Sequence, residues 1–595
     1  MDRLPRWLGA RWAPLAVIII GIALAAPAIT ADFTADDHLH RVIQRADTGI
    51  QGLPARGLDL FTFADGDAAG IATLVDQGVY PWWTDPTMKL AFWRPLSSAT
   101  HAIDHLLWPD SAAAQLAHNL LWHALALVVV WLLLRRLFGA ERRWIAVLAL
   151  ALYAFDDARG PVVGWIANRN ALVALVLALP VLLAHDRWRR DGWTPGRWVG
   201  PLIFTVALGA GESSIAVLAY LAAHALWLDR APWKQRLLAL APYVVIVVVW
   251  RVIYAKLGYG VAGSGIYLDP GSDPVAFAGA AATRVPFLLQ SALALPWSDF
   301  ASFYPVLGIA TPMLLVAVAT VGVVGLACAR LLVRDPLARF FATAMVLCAI
   351  PIASTFPADR LLTFVSIGAL GLVAQLVAAA LHDRSQLGDG RLRRFACTAV
   401  AVLMILIHLV LAPPLLVARS RSMVAVARVL DRADASIPAS ANGKTVMIID
   451  TPSDALAGYV QITRASRNLP RPAHIYWLAT ATTAVTLERT DDRTLRVSSE
   501  GGALRYDIDR MMRTPRTRPF HVGDRFELTN VTIEVTQITP DGRPAEILAH
   551  FAIPLDDPSL VWLRWDKNAY APYQLLPAGA RETFPAVDFL KLLDD

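Results

Sequence analysis

Cysteine is almost missing from this chain: there are three in 595 residues. Cys328, Cys348 and Cys397 all lie in apolar runs. They supply neither a disulfide framework nor the paired spacing of a zinc site, and each reads as a small core residue. Charge is scarce too, at 17% of residues, where soluble domains average roughly 25%. No glycine-rich phosphate loop, dinucleotide fingerprint or nucleophile elbow occurs. No internal repeat is seen, and no low-complexity tract beyond Ala/Leu/Val-rich helices. The familiar signatures of soluble nucleotide-binding enzymes and hydrolases are therefore lacking.

What is present is apolar surface. Hydrophobic residues make up 56% of the chain and the mean hydropathy is +0.47. Such a chain is expected in a membrane over much of its length. The net charge of +6 does not indicate nucleic acid as a partner. Arginines gather in short segments between apolar spans, as the positive-inside rule describes for cytoplasmic loops.

Spans are expected at 13–29, 113–134, 144–155, 161–184, 237–254, 306–329, 340–352, 361–381 and 395–417. The stretch 198–228, broken at 209–214, reads as two short helices meeting at the exported face. The sum is about eleven crossings at roughly 20 residues each. The first span follows Arg3, Arg6 and Arg11; it has signal-peptide features and is read as an uncleaved anchor. The stretch 275–297, with Arg284, Pro286 and Gln290, reads as an interfacial helix. Residues 1–417 then form a helical transmembrane domain with a large first exported loop at 30–112. Residues 418–595 form a soluble exported domain, mainly β with an α/β opening. An amphipathic helix at 422–436 and a buried strand at 444–450 begin it, and alternating runs at 484–488, 494–498, 526–538, 546–553 and 561–565 follow.

The polar residues outside the basic loops carry the functional signal. Asp36 and Asp37 sit just past the first span, where carboxylates cost free energy unless they are wet, paired or working. Arg94 follows in Phe-Trp-Arg-Pro-Leu, and His118, Asn119 and His123 open the next span. Asp156, Asp157, Arg159, Arg169, Glu212, Asp359 and Arg360 all fall in loops expected on the same exported face. A carboxylate can take the proton of an attacking hydroxyl, while guanidinium groups hold phosphate oxygens and stabilise charge on a departing phosphate. Each residue has a plainer role as well. His118, Asn119 and His123 suit interhelical hydrogen bonding, Arg94 headgroup anchoring, Arg169 a helix end, and Asp359–Arg360 a local ion pair. Asp37-His38-Leu39-His40 is a secondary option for a divalent metal; no cofactor is called for, and the sequence leaves metal dependence open. Trp477, Trp562 and Trp565 suit core packing more than sugar stacking.

In order along the chain, Asp36-Asp37, Trp93-Arg94-Pro95-Leu96, His118-Asn119-Leu120 with His123, and Gly164-Trp165-Ile166-Ala167-Asn168-Arg169 resemble landmarks of the GT-C superfamily of polytopic glycosyltransferases. The likeness covers about the first 415 residues and is nearest to the protein O-mannosyltransferases that carry tetratricopeptide repeats. Gly211-Glu212-Ser213 and Asp359-Arg360-Leu361 are weaker echoes. The resemblance implies an inverting transfer of a sugar from a polyprenyl-phosphate donor to an exported acceptor, which is protein, lipid or surface glycan. It implies Asp36 or Asp37 as general base and Arg94, Arg169 and Arg360 as donor-phosphate contacts. His118, His123, Asp156, Asp157 and Glu212 support them, and the setting is a bacterial inner membrane. Two departures stand out. Asp156 or Asp157 must replace the family's glutamate in the second exported loop, and the β-rich domain replaces the repeats. A lipid or polysaccharide transporter, or a non-catalytic scaffold, is the alternative.

Overall fold

The computed structural model describes residues 7–45, 49–54 and 57–593. The chain divides into two compact units. The first comprises Met1–Asp32, Phe92–Leu257 and Pro270–Met423, and the second Phe33–Ala91, Gly258–Asp269 and Val424–Asp595. The segments 33–91 and 258–269, read from the sequence as loops of the membrane domain, thus fold with the C-terminal residues. They bring strands and apolar side chains that a solvated loop would leave without partners.

Among the described residues, seven helices are long and apolar enough to cross a membrane: Ala13–Thr30, Ala112–Phe138, Ile166–Asp191, Trp233–Lys256, Ala310–Arg334, Val365–His382 and Arg391–Ala435. Arg143–Phe155, Gly196–Leu208 and Pro336–Ile352 are shorter apolar helices. Helices suit such sequences because every backbone group is satisfied within the segment, and hydrocarbon offers no other partner. In the first unit, Val365–His382 is buried along nearly all its length. It meets Pro336–Ile352 through Gly368 and Gly371, where an added Cβ would lie 2.7 Å from the Phe341 carbonyl oxygen and 2.6 Å from its ring. Small residues let the two backbones approach closely, as in membrane helix pairs generally.

Two expected elements come out differently. The span read as 161–184 is a short helix, Arg159–Val163, then a break, then Arg169–Asp191. The Gly160-Pro161 and Gly164 positions interrupt the run, and Asn119 Nδ2 donates to the freed carbonyls of Val163 (3.0 Å) and Trp165 (3.1 Å). The stretch read as interfacial forms Pro274–Leu293, exposed in its first half and buried in its second. There Arg284 Nη1 donates to the Ala353 carbonyl at 3.0 Å. The basic loops of the first unit pair with acids of one another. Arg136 binds Asp186 and Asp191, Arg142 binds Asp335, Arg189 binds Asp229, and Arg330 binds Asp389.

The second unit has three sheets. Strands β1 (Thr62–Asp65), β2 (Lys89–Ala91) and β3 (Gly260–Ala262) form a small antiparallel sheet. The C-terminal part opens with β4 (Thr445–Thr451), buried at every residue. It continues through the helix Asp454–Ser466 to β5 (His474–Thr480), which lies parallel to β4. Strands β6 (Val485–Arg489), β7 (Thr494–Ser499), β8 (Arg525–Leu528), β9 (Val531–Ile538), β10 (Pro544–Phe551), β11 (Leu560–Asp566), β12 (Ala569–Pro572) and β13 (Arg581–Phe584) follow. The orders are β13-β6-β7-β10-β9-β8, all antiparallel, and β12-β11-β4-β5, with β11 parallel to β4. The run 526–538 is a hairpin, because Asn530 takes φ 65° in the two-residue turn between β8 and β9. Trp477, Trp562 and Trp565 are buried, as core packing requires. Asp454 is enclosed, accepts a hydrogen bond from the Trp477 indole at 3.0 Å, and is pushed up to about 8 by burial.

A surface clamp ties the helix Ala68–Gln77 to β5 and to the β8–β9 turn. Asp76 accepts from Tyr476 Oη at 2.7 Å and from Thr529 N at 2.9 Å, and His474 Nδ1 lies 3.3 Å from its carboxylate. Burial opposes ionisation of Asp76, but these hydrogen bonds outweigh it and lower its pKa. The bond to Asp76 raises that of His474. A raised His contributes stability that is full below about pH 6.5 and is lost as pH rises through its folded value. A depressed Asp contributes above about pH 4 and is lost as pH falls. Protection of the Ala68–Gln77 amides, relative to the intrinsic exchange rate at each pH, is therefore expected to be highest between about pH 4 and 6.5. In His474→Gln the loss of protection on the alkaline side should disappear, which hydrogen exchange measured across pH will read.

Candidate active site

Asp36 and Asp37 begin the helix Asp36–Gln44 of the second unit. Ala35, just before them, has φ 49° and ψ −121°, which is unusual for a residue with a Cβ. Such strain persists only where surrounding contacts impose it. Asp37 is one of those contacts: it is 3% exposed and its Oδ2 accepts from Thr34 N at 3.1 Å. Asp36 is half-buried and accepts a hydrogen bond from Tyr459 Oη on the helix Asp454–Ser466. Burial, and then the charge of Asp36, raise the Tyr459 pKa well above the ordinary phenol value, so the hydroxyl remains a donor. The His residues beside the pair turn to other neighbours. His38 Nδ1 bonds Ser466 Oγ at 2.6 Å, and burial with the charges of Arg467 and Arg41 lowers it to about 3. His40 packs edge-on against Phe61 at 4.9 Å. Among the described residues no group of three His, Cys, Asp or Glu is arranged to hold a metal ion.

In the first unit the polar loops meet one another at one end of the helices. Arg94 precedes the helix Pro95–Leu107, which is tied to the 209–212 turn by Leu96 N to Gly209 O (2.9 Å) and Ser97 Oγ to Ala210 O (2.6 Å). Arg94 Nε donates to Glu212 Oε2 at 2.9 Å, Tyr254 Oη donates to Glu212 Oε1 at 3.0 Å, and the Phe92 ring lies 4.6 Å from the guanidinium. Arg94 and Glu212 keep 20% and 28% of their side-chain surface exposed, enough for a ligand to reach.

Arg169 differs from its expected role. Its side chain has no exposed surface. It pairs with Asp104 and donates to Asn119 Oδ1 (2.6 Å), Thr100 O (3.2 Å) and Gln115 O (2.9 Å). With its donors used inside the protein, it holds the loop together and does not present a phosphate fork. His118 belongs to the same knot: Nδ1 lies 2.6 Å from Asp104 Oδ1 and Nε2 accepts from Trp122 Nε1 at 3.0 Å. That acceptor role puts the ring proton on Nδ1, toward the carboxylate. His123 is buried. Asp104 escaped notice in the sequence because Ser-Ala-Thr-His-Ala-Ile-Asp-His was read as exported loop, while it forms a helix turning Asp104 inward.

Asp157 and Asp359 gather, with Asp299, on a residue not singled out from the sequence, Arg419. Its Nη1 donates to Asp157 Oδ2 (2.8 Å) and Asp359 Oδ2 (2.7 Å), its Nη2 to Asp299 Oδ2 (2.6 Å), and its guanidinium lies 4.4 Å from the Trp297 ring. Asp359 Oδ1 also accepts from Ser291 Oγ (2.5 Å), Ser298 N (2.9 Å) and Ser298 Oγ (2.7 Å). Asp156 stands apart, with Oδ1 accepting from Ala158 N at 2.9 Å. Burial, then Asp156 and Asp359, raise the Asp157 pKa despite Arg419. Burial and Asp359 push Asp299 up to about 6. Arg360 stacks over Trp165 (5.0 Å) and Phe356 (5.5 Å) and is half-buried. Arg159 is 1% exposed and donates to the Tyr153 (3.2 Å) and Ser366 (3.0 Å) hydroxyls.

Two glycines deliver Arg419 to this cluster. A Cβ on Gly160 would lie 2.6 Å from the Arg419 carbonyl carbon, and one on Gly164 2.2 Å from the Ser420 carbonyl oxygen. Both neighbours are backbone and cannot swing aside. Gly164→Ala should therefore cost about 1–3 kcal/mol through overpacking. A lower unfolding midpoint of the detergent-purified protein will report it.

Neither a protein-family model nor a curated protein sequence matches the chain. What the geometry defines is a multi-helix membrane-type unit with a polar loop layer, and a second, β-rich unit carrying the acidic pair.

Proposed function

We propose that the protein is a membrane glycosyltransferase of GT-C type, with about eleven spans when Val217–Trp227 is counted with the three shorter apolar helices. It moves a sugar from a polyprenyl-phosphate donor to an exported acceptor with inversion. The observation that carries the reading is Asp36: a half-buried carboxylate behind a strained Ala35, oriented by the Tyr459 hydroxyl. Strain of this kind clusters at working sites. Asp37 is committed to the Thr34 amide and to the interior, so Asp36 is the better base.

The acceptor oxygen bonds to the sugar C1 while Asp36 takes its proton. The C1–O bond to phosphate breaks, and its electron pair leaves on the polyprenyl phosphate. Arg94 and Arg360 of the first unit, each partly exposed and backed by aromatic rings, are the groups suited to hold phosphate oxygens. Arg169 acts as a positioning residue. The arginine-rich loops would face the cytoplasm of a bacterial inner membrane and the polar loop layer the exported side.

The test is transfer of radiolabelled sugar from a panel of polyprenyl-phosphate donors in membranes carrying wild-type protein or Asp36→Asn. Labelling by the wild type alone supports the transferase. Equal labelling by both removes it and leaves a lipid transporter or a scaffold.

A further inference from the structure

The helix Pro95–Leu107 of the first unit is built inside out for water. Its buried side chains are polar: Ser97, Ser98, Thr100, His101 and Asp104. Ser97 Oγ donates to the Ala210 carbonyl at 2.6 Å, and Asp104, with no exposed surface, pairs with Arg169 and His118. The opposite face is apolar. Leu96, Ala99, Ile103, Leu106 and Leu107 recur at intervals of three and four residues, which sets them on one stripe. Leu106 is 80% exposed, Leu107 60% and Ile103 49%. No charged residue lies on the stripe. A surface helix in water shows the reverse polarity. Rolling it to hide the leucines would strip Asp104 from Arg169, and a buried charge left without its partner is costly.

The neighbouring helix says what covers this face. Four residues on, Ala112–Phe138 begins, capped by Ser111 and long and apolar enough to cross a membrane. It exposes Ala113, Ala117, Leu121, Leu125 and Val128, again at intervals of three and four. The Asp104–His118 contact, at 2.6 Å, joins the polar sides of the two helices and leaves both apolar faces outward. Trp108, 41% exposed, stands at the junction, and tryptophan favours the level of the lipid headgroups. A second copy of the chain fits less well. A stable pair buries about 800 Å² on each partner, more than five side chains on one short helix present.

We propose that the Leu96–Leu107 stripe is seated in lipid at the headgroup–acyl boundary of the bilayer. Pro95–Leu107 is then an interfacial helix, and Arg94, the residue before it, is carried to the level of the lipid phosphates. The inference needs only the membrane setting. It stands whether or not sugar is transferred.

The native cysteines are all buried, so one introduced cysteine can be labelled with a fluorophore in the full-length protein in nanodiscs. Interfacial helices sink their apolar face roughly 5–10 Å into the boundary. The label at Leu106→Cys should therefore lose most of its emission to lipids brominated near the carbonyl end of the acyl chain. It should lose less to lipids brominated near the methyl end and little to aqueous iodide. Glu500→Cys, exposed just after β7, should respond to iodide alone. Leu107→Cys repeats the measurement at a second position, and unfolding midpoints equal to wild type will show that the variants fold. Iodide quenching at Leu106→Cys equal to that at Glu500→Cys would overturn the assignment in favour of open water. Shielding from both quenchers would overturn it in favour of a protein cover, a second copy included. Stronger quenching from the methyl end would place the helix at the bilayer centre and equally rule out the interfacial position.

Discussion

Asp36→Asn is expected to lower sugar transfer by about 10²–10⁴-fold, the usual worth of a positioned general base. Donor binding should be unchanged, because the proposed phosphate contacts, Arg94 and Arg360, are not altered. The asparagine oxygen can still accept from Tyr459, so the local fold should persist. Tyr459→Phe gives a finer readout. Removing a donor to the ionised carboxylate favours the neutral acid, so the acid limb of the rate–pH profile should move to higher pH while transfer persists. A structural tyrosine would instead lower activity uniformly across pH. Initial rates of transfer measured from about pH 3 to 8, a range that includes the ordinary aspartate pKa of about 3.9, distinguish the two.

The largest stability effect belongs to Arg419→Met. The guanidinium is 8% exposed and serves three carboxylates from three separate loops. Its removal leaves Asp157, Asp299 and Asp359 facing one another with only the Arg360 charge, acting on Asp299, to offset them. Breaking a buried ion pair on one side costs about 3–5 kcal/mol, because the remaining charges stay desolvated. The cost must depend on pH. Asp157 and Asp299 already lie above the usual carboxylate range, Asp299 at about 6. Acids raised in the folded state favour folding at low pH and lose that contribution as pH rises through their folded values. The variant should therefore be least impaired near pH 5 and most impaired above about pH 7, where both acids would have to ionise unpaired. Thermal unfolding midpoints of the two proteins across that range measure it, and a gap independent of pH would show that the carboxylates are not its source.

Most helices were legible because the signal for them is local. An apolar run such as 361–381 needs no knowledge of its neighbours to become the helix Val365–His382, four residues shorter at its start, since hydrocarbon leaves the backbone no other arrangement. Alternating strands were nearly as plain: 484–488 and 494–498 became β6 and β7 within a residue. Strand β5 was missed, because a strand covered on both faces shows no alternation. Its place beside β4 depends on the helix between them.

Composition and periodicity by themselves determined that the chain is membrane-type and helical over its first two-thirds and β-rich after it. They also placed its arginines in short loops between the spans and its acidic pairs on the opposite, exported face. Only the tertiary structure decided what those groups do. Asp36 meets Tyr459 across 423 positions and Arg419 meets Asp157 across 262. Arg169, which looked like a phosphate ligand, is enclosed by Asp104, Asn119 and two backbone carbonyls. Apolar burial is a property each segment carries along its own length. Which carboxylate faces which guanidinium is set by the loops that packing brings together, and no spacing along the chain records it.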